Sequence, residues 1–273
     1  MSNQRFNYYD PEFNPADAAG CSLLIMISDN TFSFAIIQKR ANKVLVWGEN
    51  YRLEELNTSG DLSDILLAPF AETKIGVQSQ SFTIVHKDLY RANQLAGFAK
   101  CLDAQTNETI LVNLLDDDNY VIFKISGELT TAISEHFDLK WVFFAGKPWI
   151  AAINMAKPYI QPLYAHITGS VVQLYHTNND KLDFYNRFQF SNPDELMYYV
   201  VLTANELNIN LDATSVILSG DITVSDKRIQ RVSDLLPKVY FNQNQVVSLP
   251  SGFISHQILM LAGLSLCESL AVN

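Results

Sequence analysis

Residues 162–201, PLYAHITGSVVQLYHTNNDKLDFYNRFQFSNPDELMYYVV, hold the pattern that decides the fold. PLYAHIT reads as a strand, Gly169-Ser170 as a turn and VVQLYHT as a second strand. Asn178-Asn179-Asp180 carries short polar side chains that bond their own backbone and tolerate left-handed geometry, so it predicts the next turn. KLDFYNRFQF then alternates, with Leu182, Phe184, Phe188 and Phe190 on one face and Lys181, Asp183, Arg187 and Gln189 on the other. Such regularity assigns these aromatics to a core face rather than to a ligand box. A helix opens at Asn192-Pro193-Asp194-Glu195: Asn192 can cap, Pro193 suits the first helical position and Glu195 completes a capping box. Leu196, Val200 and Leu207 continue at helical spacing. SVILSG, DKRIQRVSDLL and KVYF follow as strand, helix and strand before a last helix.

Working back towards the N-terminus, the same order appears earlier. LLIMI (Leu23 to Ile27) is a continuous apolar run suited to a strand buried on both faces, and Ser28-Asp29-Asn30 a turn. TFSFAIIQK and KVLVWGENY complete a three-stranded meander, and DLSDILLAPF (Asp61 to Phe70) a short helix. Two β-β-β-α units in one chain point to an internal duplication. Between them lie FTIVH, the helix RANQLAGFAKCLD, a hairpin of ETILVNLL and NYVIFKIS around Asp116-Asp117-Asp118, the helix ELTTAISEHF and the strand LKWVFF. KPWIAAINMAK then leads as a helix to Pro158 and Pro162. The expected organisation is an N-terminal arm over 1–20, a first subdomain with an inserted αββ element over 21–158, and a second over 159–273.

With 273 residues, 48% hydrophobic and 18% charged, the chain has neither the composition of a disordered segment nor that of a coiled coil. A net charge of −10 without a basic patch excludes nucleic acid as an expected partner. Cys21, Cys101 and Cys267 show no metal-binding or disulfide spacing and read as small buried apolar side chains in a reducing cytoplasm. The N-terminal stretch lacks the apolar segment of a secretory signal. Near the other end, Phe253 to Val272 is interrupted by His256, Gln257 and Glu268. Its clean apolar part, Ile258 to Cys267, falls short of the ~20 residues that span a bilayer. A buried helix, no membrane insertion and a cytoplasmic location are expected.

A repeated meander followed by alternating helices and strands resembles the actin-like ATPase fold. The fold class expected is therefore α/β, with two ribonuclease-H-like subdomains facing a cleft and mixed sheets each opened by a three-stranded meander. More specifically, the chain is similar to a bacterial family of unknown function with that architecture. ISDNTFSFAII, the block HITGSVVQLYHTNNDKLDFYNRFQFSNPDELMYYVV, VILSGDI and the ending ISHQILMLAGLSLCES carry the resemblance, which runs from about Ser22 to the end of the chain.

The resemblance frames the candidate site. Working actin-like ATPases carry an Asp-x-Gly-Thr/Ser loop at the first hairpin of each half, where Gly lets backbone N–H groups approach phosphates and Asp holds magnesium or its water. Here Ile27-Ser28-Asp29-Asn30-Thr31 has an acid but no Gly, while His166-Ile167-Thr168-Gly169-Ser170 keeps Gly and a hydroxyl but has His for Asp. VILSGD (Val216 to Asp221) offers Gly220 at the adenosine turn, followed by an acid that repels phosphate. Loss of the magnesium carboxylate removes much of the electrostatic catalysis, so ATP hydrolysis is not expected. Elsewhere, the five His show no zinc-protease spacing, Asp116-Asp117-Asp118-Asn119 lacks the Gly and distal Glu of a calcium loop, and no Walker A or G-x-S-x-G motif is present. His166 has a structural reading as well, a strand-end histidine bonded to backbone.

The expected function is a non-enzymatic, actin-like-fold protein without cofactor, acting by binding a protein partner or itself. The alternative is a divergent nucleotide switch using ATP with magnesium, with Gly169, Ser170 and Gly220 on the nucleotide and Asp29 near the metal. In either case the loops Ser28–Thr31 and Thr168–Ser170 are expected to converge on one cleft. Asp29, His166, Ser170 and Asp221 would make that cleft suited to a cation or a polar peptide rather than a bare phosphate.

Overall fold

Apolar and β-branched runs dictate the strands, and their order builds two sheet-centred units. The computed structural model describes residues 6–156 and 161–269. By their contacts, residues 1–151, 247–252 and 260–273 form one unit and residues 152–246 and 253–259 the other. Pro158 lies outside the described residues.

In the first unit, β1 (Phe6–Tyr9), β2 (Cys21–Ser28), β3 (Thr31–Gln38) and β4 (Lys43–Arg52) are followed by α1 (Asp61–Leu66) and β5 (Glu72–Val77). Then come β6 (Phe82–His86), α2 (Leu95–Cys101), β7 (Thr109–Leu114), β8 (Asn119–Ile125), α3 (Gly127–Ser134), β9 (Val142–Phe144) and α4 (Gly146–Asn154). The main sheet has the order β1-β4-β3-β2-β5-β9, and β6-β8-β7 form a second, antiparallel sheet. β2 is buried along nearly its whole length because it lies between antiparallel β3 and parallel β5, as its unbroken apolar run requires. α1 ends sooner than the sequence implies, since Pro69 disfavours helical geometry at Ala68.

Two strands escape the sequence pattern. β1 pairs with β4 although its residues read as part of a polar arm. β5 carries Lys74 in its middle, yet Lys74 is buried: its ammonium donates to the Ser265 carbonyl (3.0 Å) and lies 3.6 Å from Glu72. A charged residue thus sits inside a sheet because its one polar end is satisfied there. Of the cysteines, Cys21 and Cys267 are buried as expected but Cys101, on the last turn of α2, is exposed. The Asp116 turn is a hairpin in which the Asp116 carboxylate accepts the backbone N–H groups of Asp118 (2.9 Å) and Asn119 (2.8 Å).

Asn113 of β7 joins the two sheets of this unit. Its amide donates to the Val142 carbonyl (3.2 Å) and its oxygen accepts the Phe144 N–H (2.6 Å), all buried. Asn113→Ala removes both bonds and leaves their partners dry, which is expected to cost about 2 kcal/mol. Urea denaturation followed by tryptophan fluorescence measures this, because Trp47, Trp141 and Trp149 all belong to this unit.

The second unit holds β10 (Leu163–Thr168), β11 (Val171–Asn178), β12 (Lys181–Gln189), α5 (Pro193–Glu206), β13 (Val216–Gly220), α6 (Lys227–Leu235) and β14 (Val239–Phe241). It also contains the N-terminal part of α7 (Ser255–Gly263). Its sheet order, β12-β11-β10-β13-β14, repeats β4-β3-β2-β5-β9 strand for strand, with the same antiparallel meander and two parallel additions. Asn192 caps α5 by accepting the Glu195 N–H (2.9 Å), while the Glu195 carboxylate reaches back to the Ser191 N–H (2.7 Å). One sheet face is apolar: Leu163, Ala165, Ile167, Val172, Leu174 and Leu218 pack with Leu196 and Val200 of α5 and Ile229 of α6. Phe190 belongs to that core and Phe184 and Phe188 pack against it, so the third-strand aromatics are structural.

Candidate functional site

The hairpin loop of the second unit is built by a backbone constraint. β13 runs parallel to β10 with Gly220 opposite Ile167, and the Ile167 carbonyl accepts the Asp221 N–H at 3.0 Å. A Cβ on Gly220 would stand 1.9 Å from that carbonyl oxygen, so only glycine lets the strand end here. The chain then turns and sends Asp221 back over the β10–β11 hairpin, where its carboxylate accepts the Gly169 N–H at 3.0 Å. Gly169 itself has left-handed backbone (φ 55°).

Arg228, on the first turn of α6, closes the arrangement. It donates to the Gly169 carbonyl (2.6 Å) and the Asp221 carbonyl (3.2 Å) while holding both oxygens of Asp226. Asp226 in turn caps α6 at the Arg228 N–H. The guanidinium holds the Asp226 carboxyl below the usual carboxylate range, whereas partial burial pushes Asp221 up despite the Gly169 bond. Asp226 and Arg228 were read in the sequence only as helix; the Asp-x-Arg spacing at a helix start was the available signal.

His166 points to the face opposite the apolar core and is buried. Its ring bonds the hydroxyls of Ser219 and Thr168, both at 3.1 Å. Burial, with His256 as a like-charged neighbour, pushes its pKa down to about 3, so it stays neutral. His256 stacks on Phe241, and its Nδ1 is buried without a hydrogen-bond partner among the described residues. Ser170 is exposed and its carbonyl accepts the Phe190 N–H at the end of β12. Five of the six expected site residues, His166, Gly169, Ser170, Gly220 and Asp221, therefore cluster at one end of this sheet.

Asp29 belongs to the first unit, in the β2–β3 turn, with left-handed backbone (φ 49°). It opens on a cavity of about 390 Å³ within that unit. Ile27 and Val77, at the carboxyl ends of parallel β2 and β5, line the cavity with Ile125 and Leu129 from β8 and α3. The connector Gln78–Ser81 forms one wall, pinned where the buried Ser79 hydroxyl meets the Ser81 and Lys124 carbonyls. Lys124 and Glu108 form another wall as an ion pair at 2.9 Å. None of these wall residues was singled out in the sequence. Among the described residues no group of three or more His, Cys, Asp or Glu could hold a metal ion, and no helix is long and apolar enough to cross a membrane.

This architecture, a twice-repeated meander with parallel additions, defines a protein of the actin-like ATPase fold. The chain belongs to the DUF3822 family of proteins of unknown function, whose model matches residues 10–239. Among solved structures it is similar to a Bacteroides thetaiotaomicron protein with actin-like ATPase fold and unknown function, at 18% identity and TM-score 0.77 over 94% of this chain and 99% of that one. It is also similar to a chain of the PilM-PilN type IV pilus biogenesis complex, at 11% identity and TM-score 0.60 over 90% of this chain and 97% of that one. No curated protein matches the sequence.

Proposed function

We propose that this chain is a cytoplasmic, non-enzymatic binding protein whose phosphate-side loop is occupied by its own carboxylate. The observation that carries the reading is the Asp221 carboxylate on the Gly169 N–H, at 3.0 Å. In a working ATPase of this fold that N–H belongs to the nucleotide. Here a fixed anion takes the donor, and Arg228 holds both chain segments by their carbonyls. A nucleotide phosphate would have to displace an acid and accept its repulsion. His166, where the working pattern has a magnesium carboxylate, is buried and neutral and supplies no negative charge to a metal. These residues do not fit a magnesium nucleotide. The fold then serves as a scaffold for a protein partner or a second copy, and the acidic surface selects for basic partners.

Calorimetric and thermal-shift titration with ATP and GTP, with and without magnesium, tests the reading. No saturable heat or shift is expected at millimolar nucleotide. A ligand at 100-fold excess over Kd would stabilise the folded chain by about 2.7 kcal/mol, so a magnesium-dependent shift of that size overturns the proposal.

A further inference from the structure

The geometry points to the cavity of the first unit as a socket for an arginine side chain of a protein partner, an inference that rests on the binding-protein reading above. Ile27, Val77 and Ile125 lie buried beneath it and Leu129 half-buried beside them, while most of its exposed lining is polar. Around the rim stand Asp29, Gln78, Gln80 and Ser81, whose side chains have no hydrogen-bond partner among the described residues. The remaining charges cancel: Lys124 and Glu108 pair at 2.9 Å, and Glu108 is held further by the Gln105 N–H at 2.8 Å. Of the two lining carboxylates, Asp29 and Glu108, Asp29 forms no ion pair among the described residues.

That combination selects a ligand class. A mostly polar lining with a single unneutralised acid at the rim suits a cationic side chain, whose aliphatic stem can lie along half-buried Leu129 with its head in the polar setting. A guanidinium presents five donors in a plane, which matches Asp29 together with the amide oxygens of Gln78 and Gln80 better than the point charge of an ammonium. The 390 Å³ volume falls within the range of small-ligand pockets, leaving room for backbone on either side of the inserted residue. A bare anion finds an unfavourable field here, both from Asp29 and from the net charge of −10.

An NMR titration of the intact chain with the capped tripeptide acetyl-Gly-Arg-Gly-amide tests the socket. Saturable shift changes are expected at Ile27–Asn30, Val77–Ser81 and Lys124–Leu129, with weaker binding in higher salt. Asp29→Asn, which retains a side chain suited to left-handed backbone, should weaken the peptide about tenfold, as loss of a charge-assisted bond implies. The glutamine tripeptide should bind at least tenfold less tightly than the arginine one. Absence of saturation, equal binding of the two peptides, or indifference to Asp29→Asn would each overturn the inference. Tighter binding of free L-arginine than of the tripeptide would overturn the protein partner in favour of a small-molecule site. Failure here leaves the nucleotide titrations unaffected, whereas magnesium-dependent ATP binding would undo the binding-protein reading whatever the peptide does.

Discussion

Replacing Gly220 by alanine is expected to destabilise the second unit by about 4 kcal/mol, or to prevent folded protein from accumulating. Two costs combine. The backbone φ of 112° is one that side chains with a Cβ rarely adopt, and the new methyl would lie 1.9 Å from the Ile167 carbonyl oxygen. That oxygen belongs to backbone held in the β10–β13 pairing, so relief requires prising two central strands apart. Gly169→Ala is the matched comparison. Its φ of 55° is also left-handed, but no atom lies within 4 Å of the added carbon, so only the conformational cost of about 1 kcal/mol applies. Urea denaturation followed by circular dichroism should separate the two variants widely. Equal losses would mean that the close approach of β13 to β10 does not hold in solution.

This contrast also marks what a sequence discloses and what it conceals. Gly220 stood out as a glycine at a strand end, yet the atom that forbids a side chain there comes from Ile167, which only the parallel pairing brings near. The meanders were legible because alternation and Asn-rich turns act locally: Leu182 to Phe190 and the Asn192 cap needed no distant partner. β5 was hidden because Lys74 breaks its apolar run, and the Ser265 carbonyl that satisfies Lys74 lies near the far end of the chain. The Gly169 loop was legible as a departure from an ATPase pattern. Asp221 was legible as an acid near the loop, but its bond to the Gly169 N–H and the part of Arg228 were not, since both arise only through tertiary contacts. The cavity beside Asp29 was the least legible feature. Its walls come from a connector, an inserted sheet and the start of α3, and nothing local announces that Ser79, Glu108 and Lys124 share a space.

Acidification below about pH 6.5 should weaken the second unit through His166. His166 is neutral in the folded chain down to about pH 3, whereas in the unfolded chain it takes up a proton near pH 6.5. Between those values the unfolded state binds a proton that the folded state cannot, so stability falls as pH falls through that window and is fully present above it. His256 acts in the same direction, its pKa lowered by burial. Its Nδ1 is buried without a hydrogen-bond partner, so a proton there would find no acceptor among the described residues. The charged form of His166 would also face His256. From pH 7.5 to pH 5, His166 alone should remove about 2 kcal/mol of stability, at 1.36 kcal/mol per pH unit below its unfolded value. His166→Asn keeps a polar group near Ser219 and Thr168 but cannot take the proton, so its stability should change less over the same interval. Urea midpoints at the two pH values, read by circular dichroism, measure the difference. A variant as acid-sensitive as the parent would show that the proton is taken up elsewhere, with His256→Asn the next position to measure.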